Sequence, residues 1–341
     1  MLELIKALCE KSGVSGTEDA VRALIRARAE KCADRVTEDV LGNLIVFKKG
    51  RKTPKKSIML CAHMDEVGVI VTDIADDGTL KFAPVGGIDR RVLFGKAVLL
   101  GPSRVYGVIG SKAYHLVKKD EREKIPPVED MYIDIGAASR EEAIKSVALG
   151  DTGVFDSGLR TFGNGLVKAR ALDDRVGCAV LLKLLESDLP VDATFVFTVQ
   201  EEVGTRGALV ASYRVAPDIA IIIEGTTAAD LPSVSSGKKV CFVGKGAVIP
   251  FMDGGTIYDR ELFALATTVA EEHGIPWQTK TTVAGGTDAA AVQRSLGGVQ
   301  TLAISAPLRY LHSPACVGAL DDFDAVFKLC GLLLEKVGEQ E

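Results

Sequence analysis

The apolar segment at residues 57–62 most constrains the fold of this chain. Its sequence, Ser-Ile-Met-Leu-Cys-Ala, is almost wholly apolar and does not alternate between apolar and polar side chains. This pattern is typical of a strand in a sheet that is covered on both faces, because both sides of the strand are then buried. Residues 219–223 show the same pattern. We therefore predict an α/β protein in which helices cover both faces of a central sheet.

Helical and extended segments alternate along most of the chain. Residues 18–32 place apolar side chains on one helical face, and Ser15 with Glu18 matches the capping-box pattern ahead of a helix. Further helices are predicted at residues 175–186, 259–273 and 321–337, and further strands at residues 41–47, 193–199, 218–223 and 299–305.

The pattern changes between about residues 67 and 162. Short strands rich in Val and Gly follow one another there, and Asp77-Gly78 is a strong signal for a β-hairpin. The alternation of strands and helices resumes after about residue 162. We therefore expect residues 1–66 and 163–341 to form one α/β domain, interrupted by a β-rich domain at residues 67–162.

The composition excludes several classes of protein. Among 341 residues, 41 Lys and Arg stand against 46 Asp and Glu, and the net charge of −5 gives no basic surface for nucleic acid. No segment reaches the ~18 consecutive apolar residues of a membrane span. The first residues lack the layout of a signal peptide, and the 7 cysteines are widely spaced without a CxxC pair. We expect a cytoplasmic protein with no nucleic-acid or membrane partner.

Histidines and carboxylates lie close to the ends of several predicted elements. His63 and Asp65, for example, directly follow the strand at residues 57–62. In open α/β sheets, ligands bind beyond the carboxyl ends of the strands. Two histidines and several carboxylates without cysteine are typical ligands of Zn, Co or Mn. The candidate residues are His63, Asp65, Asp173, Glu201, Glu202, Glu224 and His312.

The spacing of these residues indicates different roles. Glu201 and Glu202 are adjacent in an extended segment and point to opposite sides, so one can bind a metal while the other takes a proton from water. His63 and Asp65 share one face, which allows Asp65 to orient a metal-bound imidazole. Asp173 is the natural bridge if two metals are bound.

The sequence leaves two assignments open: the role of Asp174, and the choice between Glu224 and Asp230 as a metal ligand. Asp174 is as able to pair with Arg175 as to contact a metal. Glu224 lies at a predicted strand terminus, and Asp230 is an alternative ligand six residues further on, in a loop-like stretch. We favour Glu224 because of its place at the strand terminus.

Four motifs occur in order along the chain: His63-Met64-Asp65-Glu66-Val67-Gly68, Ala171-Leu172-Asp173-Asp174-Arg175, Gln200-Glu201-Glu202-Val203-Gly204 and Arg309-Tyr310-Leu311-His312-Ser313. Together they resemble the forty-second metallopeptidase family, the tetrahedral (TET) aminopeptidases. Residues 84–89 and 285–288 also look like segments of that family. The resemblance covers nearly the whole chain.

The resemblance implies a catalytic α/β domain in which a central mixed sheet, flanked by helices, is interrupted by a barrel-like dimerisation domain. It implies two divalent metal ions, Zn or Co with Mn as an alternative. Asp65 would orient an imidazole, and Glu201 would be the general base for a metal-bridging hydroxide. The implied ligands are His63, Asp173 and Glu224 for one metal, and Asp173, Glu202 and His312 for the other. Many relatives have Asp where this chain has Glu224.

The implied activity is the removal of N-terminal residues from peptides with a free N-terminus. Dimers of the family often assemble into dodecamers, and we expect a homo-oligomer here. The resemblance also implies a cis peptide bond between Asp173 and Asp174. Gly286, Thr287 and Asp288 are expected to contact the substrate, whose side-chain preference the sequence does not reveal.

Three other functions are compatible with these residues. An amidohydrolase on a related fold would deacylate small amino-acid derivatives. A glycosidase would use two carboxylates and no metal, which leaves His63 and His312 unexplained. A non-catalytic protein would use the metal for assembly alone.

Overall fold

The computed structural model describes residues 1–120, 122–283 and 285–339. Its helices are α1 (Leu2–Glu10), α2 (Asp19–Ala29), α3 (Arg140–Ala143), α4 (Leu172–Leu185), α5 (Arg206–Val215), α6 (Arg260–Glu272), α7 (Ala289–Gln293) and α8 (Leu320–Gly338). Its strands are β1 (Arg35–Glu38), β2 (Leu44–Lys48), β3 (Ile58–His63), β4 (Gly68–Ile74), β5 (Leu80–Val85), β6 (Ala97–Leu100), β7 (Val105–Ser111), β8 (Met131–Asp134), β9 (Thr152–Phe155), β10 (Arg160–Phe162), β11 (Leu166–Ala169), β12 (Ala193–Thr198), β13 (Ile219–Thr227), β14 (Ala247–Val248), β15 (Trp277–Gln278), β16 (Gln300–Leu308) and β17 (Cys316–Ala319).

The largest sheet has eight strands in the order β1-β2-β12-β3-β13-β16-β14-β15. Its four central strands, β12, β3, β13 and β16, run parallel, whereas β2 and β14 pair antiparallel with the outer two of these four. Every residue of β3 is buried, and so is every residue of β13 except the last. The predicted central mixed sheet with strands buried on both faces is therefore confirmed.

Helix α4 lies at the centre of the α/β part of the molecule. All of its residues except Lys183 are buried, and it packs against β3 and β13. Beyond Arg175, every residue of α4 except Lys183 is apolar, and a helix segment that is apolar on all sides is typical of a position inside a core. The apolar side chains of the helices and the sheet form one continuous cluster. Among the residues described, no helix is both long enough and apolar enough to cross a membrane.

Six strands form a closed barrel in the order β4-β5-β8-β7-β6-β9. All of the pairings in the barrel are antiparallel, and the barrel encloses a hydrophobic cluster of its own. As predicted, a turn that contains Asp77-Gly78 joins β4 to β5. The barrel strands lie between Gly68 and Phe155. The next strand, β10, belongs to a separate three-stranded sheet, in which β11 pairs with both β10 and β17. The α/β fold is thus interrupted by a barrel, as expected.

The capping box predicted from Ser15 and Glu18 is wrong. Helix α2 begins at Asp19, and no side chain among the described residues caps it. Ser15 Oγ instead donates to Asp65 Oδ2 at 2.6 Å, and Glu18 Oε1 accepts from the main-chain N–H of Gly16 at 2.7 Å. Buried carboxylates must find hydrogen-bond donors, and the hydroxyl of Ser15 meets that requirement rather than capping the helix.

The start of α5 lies directly against the end of β12. The N–H of Gly207 donates to the Val199 carbonyl at 3.0 Å, and the Gly207 carbonyl accepts from Asn43 Nδ2 at 3.0 Å. A β-carbon on Gly207 would lie 2.3 Å from the Val199 oxygen and 2.4 Å from Asn43 Oδ1. This close approach fixes the path of the chain as it leaves β12.

Gly207→Ala should therefore destabilise the protein by about 1–3 kcal/mol, the usual cost of forcing an extra carbon into a closed contact. Gly237→Ala is a matched control, because a β-carbon there meets nothing within 4 Å; its effect should stay within ~0.5 kcal/mol. Urea unfolding of both variants measures the difference. Equal stabilities would contradict the role of this contact.

Candidate active site

The candidate residues meet at the carboxyl ends of the central strands. Because β12, β3, β13 and β16 run parallel, these ends share one edge of the sheet. His63 is the last residue of β3, and Glu224 lies within β13 rather than at its terminus. The residues brought together are His63, Asp65, Asp173, Glu201, Glu202, Glu224 and His312.

Asp173 lies between the two histidines. His63 Nε2 is 3.3 Å from Asp173 Oδ1 and 3.1 Å from Glu224 Oε1. His312 Nε2 is 3.7 Å from Asp173 Oδ2 and 3.1 Å from Glu202 Oε2. Each oxygen of Asp173 thus faces a different imidazole, and each imidazole also faces a second carboxylate.

This donor set fits divalent cations. The Oδ1 atom of Asp173 is buried and has no hydrogen-bond partner among the described residues. Ligand atoms of His63, Asp173 and Glu202 lie within 4.8 Å of one another, and so do those of His63, Asp174 and Glu224. Imidazole nitrogens and carboxylate oxygens without thiolate are the ligands typical of catalytic Zn and of Co or Mn.

The cluster carries an excess of negative charge. Burial alone would lower the pKa of His63, but Glu224 and Asp173 outweigh it and raise this pKa well above its ordinary value. Burial likewise opposes a charged His312, yet Asp173 and Glu202 raise its pKa to about 11. Burial raises the pKa of Glu224 to about 8. Without cations, the cluster therefore retains protons at neutral pH.

Two carboxylates hold the main chain that carries Glu201 and Glu202. Glu18 Oε1 accepts from the N–H of Gln200 at 3.2 Å. Asp65 Oδ1 accepts from the N–H of Glu201 at 2.9 Å, and Asp65 Oδ2 accepts from the N–H of Glu202 at 3.1 Å. Three successive amides are therefore fixed by side chains from a distant part of the sequence.

Asp65 also faces the imidazole of His63. His63 Nδ1 lies 3.1 Å from the main-chain oxygen of Asp65 and 3.4 Å from its carboxylate atom Oδ1. Both oxygens favour a proton on Nδ1, which leaves Nε2 to face Asp173 and Glu224.

Arg175 does not pair with Asp174. Arg175 Nη2 donates to Glu66 Oε1 at 3.0 Å, and Arg170 Nε donates to Glu66 Oε2 at 3.0 Å. Asp174 Oδ1 accepts from the N–H of Gly177, while its Oδ2 is buried without a partner among the described residues. Burial raises the pKa of Asp174 well above its ordinary value. The peptide bond between Asp173 and Asp174 is cis, as the resemblance implied.

Asp230 is not part of the cluster. Arg309 Nε and Nη2 donate to its two carboxylate oxygens, each at 2.6 Å, and the N–H of Val243 donates to Oδ2 at 3.1 Å. Glu224 is buried and is the closer of the two to His63. The geometry thus favours Glu224 over Asp230 as a ligand.

A cavity of about 170 Å³ opens from this cluster. Gly286 and Thr287 line it, whereas Asp288 is not among its lining residues. Asp288 is buried, and Thr198 Oγ1 donates to its Oδ2 at 2.5 Å. The carboxylate of Asp288 therefore supports the end of β12. The remaining lining residues are His63, Asp173, Glu201, Glu202, Glu224, Gly225, Thr226, Thr227, Val240, Lys280, Gly285, Leu311 and His312.

Several residues of this region are not apparent from the sequence. Ser15 and Glu18 support Asp65 and the main chain of Gln200, but their spacing matches a capping box and conceals this use. Lys280 lines the cavity after the two-residue strand β15, which is too short to show periodicity. The one signal in the sequence is the short distance along the chain between Lys280 and residues 285–288, which resemble a segment of the family.

The charge of the cluster predicts proton release when a metal binds. At neutral pH the raised pKa values leave His63, His312 and Glu224 carrying protons, whereas a metal binds the neutral imidazole and the carboxylate. Metal uptake should therefore release protons, and affinity should rise with pH. Titration calorimetry with Zn²⁺ at neutral pH, in buffers of different ionisation enthalpy, measures the number released. Metal uptake without net proton exchange would contradict this charge state.

The chain resembles known peptidases over nearly all of its length. A family model described as M42 glutamyl aminopeptidase matches residues 42–329. The lysyl aminopeptidase of Pyrococcus furiosus is 35% identical over 344 residues, which cover 98% of this chain and 97% of that relative.

Solved structures show the same similarity. Aminopeptidase APDkam598 of the archaeon Desulfurococcus kamchatkensis is 36% identical with a TM-score of 0.93, and the match covers 98% of this chain and 94% of that one. The TET1 peptidase of Pyrococcus horikoshii, which can assemble into a tetrahedron or a large octahedral shell, is 36% identical with a TM-score of 0.86, and the match covers 98% of both chains.

These findings identify the activity. The matched family model and the named relatives are aminopeptidases, so the predicted aminopeptidase function is confirmed in place of the deacylase, glycosidase and assembly-only alternatives. The enzyme is a hydrolase of peptide bonds, and its family binds divalent metal. The chain belongs to the M42 aminopeptidase family.

Proposed function

We propose that this aminopeptidase removes N-terminal residues from peptides with two divalent metal ions in the cluster described above. The observation that carries the proposal is the position of Asp173, whose two oxygens face Nε2 of His63 and Nε2 of His312. His63, Asp173 and Glu224 would hold one ion, and Asp173, Glu202 and His312 the other. Nitrogen and oxygen donors in this number suit Zn or Co, with Mn as an alternative.

Divalent ions at this place would polarise the scissile carbonyl and lower the pKa of water towards neutrality. Glu201 then moves the proton. Its side chain lines the cavity and, among the described residues, makes no ion pair with either histidine. Its carboxylate takes a proton from the attacking water and gives it to the amine of the departing peptide. Burial raises the pKa of Glu201 well above its ordinary value, and a raised pKa suits a carboxylate that must hold a proton between two transfers.

Asp65 has a positioning role in this proposal. It faces Nδ1 of His63 and accepts from the amides of Glu201 and Glu202. It therefore orients one ligand directly and fixes the main chain of the base and of a second ligand. These hydrogen bonds keep the carboxylate of Glu201 at a constant distance from the reacting water.

The cavity beside the cluster would receive the first residue of the peptide. Its volume of about 170 Å³ is suited to one side chain. We assign contact with this residue to Gly286 and Thr287, which line the wall of the cavity. The free amino group would lie at the carboxylate end of the cavity, where negative charge favours a cation.

We also propose that the chain works as a homo-oligomer, with residues 67–162 as its dimerisation domain. Exposed apolar side chains on the barrel support this proposal: Phe94, Tyr106 and Leu116 are 55%, 56% and 59% exposed. Contact with a second copy would remove these apolar side chains from water. The Pyrococcus horikoshii relative, which can assemble into a tetrahedron or a large octahedral shell, supports a large assembly. For this chain we propose dimers that build a dodecamer.

A cytoplasmic location fits the state of the cysteines. All seven are free thiols in the structure, and six of them are buried. Reduced cysteines are typical of proteins that work in a reducing compartment. Fractionation of cells and detection of the protein in the soluble cytoplasmic fraction would test this location.

Metal-stripped protein, reconstituted with Zn²⁺, Co²⁺ or Mn²⁺, tests the proposed reaction. We expect no turnover without metal, and cleavage of aminoacyl p-nitroanilides with a free amino group after reconstitution. N-acetylated versions of the same substrates should resist cleavage. Cleavage of the acetylated substrates alone would contradict the aminopeptidase reaction.

The matched variants in this experiment are Glu201→Gln and Glu202→Gln. Glu201→Gln should lower kcat by at least ~100-fold, the usual share of general acid–base catalysis, while two metals stay bound. Glu202→Gln should instead lose one metal, as measured by atomic emission. Full activity of Glu201→Gln would show that another group moves the proton.

Sedimentation velocity tests the proposed assembly. We expect a species much heavier than a dimer, and we expect Tyr106→Glu to shift it to smaller species, because a buried charge disfavours an apolar contact. Tyr213→Glu, on the exposed face of α5 outside the barrel, is the control for a change in charge alone. A wild-type protein that sediments as a monomer would contradict the proposal.

A further inference from the structure

The two imidazoles of the cluster are held by different parts of the molecule. His63 Nδ1 lies 3.1 Å from the main-chain oxygen of Asp65, which is two residues further along the chain. His312 Nδ1 instead lies 2.8 Å from the main-chain oxygen of Gly87, at a separation of 225 residues in the sequence. Gly87 follows β5, which is a strand of the barrel. The barrel therefore contacts one of the proposed metal ligands directly.

This contact determines which ring nitrogen of His312 carries a proton. A carbonyl oxygen can only accept, so Nδ1 is the donor, and Nε2 keeps a free electron pair when the ring is neutral. Nε2 faces Glu202 Oε2 at 3.1 Å and Asp173 Oδ2 at 3.7 Å. A metal-bound histidine usually donates its other N–H to an oxygen of this kind, which fixes the tautomer and the orientation of the ring. Gly87 meets that requirement for His312.

The position of the Gly87 carbonyl is set by the barrel. Before it, Val85 at the end of β5 pairs with Gly68 at the start of β4. After it, Ile88 packs against the hydrophobic cluster inside the barrel, and Leu93 is a fully buried member of that cluster. Because these contacts hold the segment on both sides, the carbonyl moves with the barrel and not with the large sheet.

Gly86 brings the same segment close to a second proposed ligand. Its φ of 80° lies in the left-handed region that favours glycine. A β-carbon at this position would lie 2.8 Å from Val67 Cγ1 and 3.4 Å from Glu202 Cβ. Any larger side chain would therefore push the segment away from Glu202. The Gly87 carbonyl, one residue further on, would then shift relative to His312.

We infer that the main chain of Gly87 positions His312, so that the barrel completes one of the two proposed metal sites. This inference rests on the proposed function, because it takes His312 as a ligand of one of two ions. The other ion would be held by His63, Asp173 and Glu224, none of which belongs to the barrel. Loss of the contact with Gly87 should therefore weaken the binding of one ion and spare the other.

Gly86→Ala tests the inference, and Gly95→Ala is its matched control. Both glycines lie between barrel strands and have positive φ, 80° and 74°, but a β-carbon on Gly95 meets nothing within 4 Å. The two variants therefore carry similar backbone strain, and only Gly86→Ala displaces the segment beside His312.

Equilibrium dialysis against buffers of increasing free Zn²⁺, followed by atomic emission, measures the ions bound per folded chain. Wild type and Gly95→Ala should bind two ions over the same range of concentration. Gly86→Ala should need about 10- to 100-fold more free Zn²⁺ for its second ion, the usual effect of losing the partner of a metal-bound histidine. Its first ion should bind as in wild type. Equal binding of the second ion by the two variants would overturn the inference, and so would equal weakening of both ions in Gly86→Ala.

A change in the ring itself decides the question if Gly86→Ala does not fold. His312→Nδ1-methylhistidine keeps Nε2 as a ligand and removes the proton that Gly87 accepts. It should weaken the second ion in the same way. His273→Nδ1-methylhistidine is the control, because His273 Nδ1 lies 3.0 Å from the main-chain oxygen of Val269 at the end of α6, and it should leave both ions unchanged. Binding of both ions as in wild type by the His312 variant would overturn the inference.

The outcomes separate this inference from the proposed function. A wild type that binds two ions and cleaves substrates with a free amino group, with variants that match it in metal affinity, would overturn the inference alone. A wild type that holds fewer than two ions at saturating Zn²⁺ would overturn the proposed pair of metal sites, and the inference with it.

Discussion

The structure depends on the neutralisation of carboxylates that the parallel strands collect at one edge of the sheet. An isolated buried charge costs several kcal/mol, so each of these groups needs a partner. Glu66 lies between the guanidinium groups of Arg170 and Arg175. The carboxylates closest to the cavity face imidazoles instead, and imidazoles leave room for cations. Glu66, which is paired with arginines, therefore stabilises the fold, whereas the carboxylates that face imidazoles are available to bind cations.

The sequence is sufficient to predict much of the fold, because the relevant patterns are local. The unbroken apolar run that ends at His63 predicts a strand buried on both faces, and β3 is such a strand. The Asp77-Gly78 pair predicts a hairpin, and β4 and β5 form one. Most of the candidate site is also predictable, since chemically active residues follow such strands and parallel strands bring their ends together.

The rest could not be predicted, because it depends on contacts between residues far apart in the sequence. The hydroxyl of Ser15 meets a carboxylate 50 residues away, so its local pattern leads to the wrong assignment. Asp288 belongs to the segment that lines the cavity, yet Thr198 holds its side chain on another side. Ala171, Gln200 and His312 adopt left-handed backbone conformations with φ of 56°, 56° and 54°. Residues other than glycine rarely do so, and such conformations cluster at functional sites.

The anchorage of Glu201 and Glu202 on Asp65 has a consequence for the tolerance of the site to motion. Both amides bond to one carboxylate, and that carboxylate lies two residues from His63. A displacement of β3 relative to β12 would therefore carry an imidazole, a base and a carboxylate in the same direction. The displacements of these three groups are then correlated. The distances between them vary less than the position of the three groups as a whole. A thermal fluctuation of the sheet would thus move the whole site and preserve the distances between its side chains.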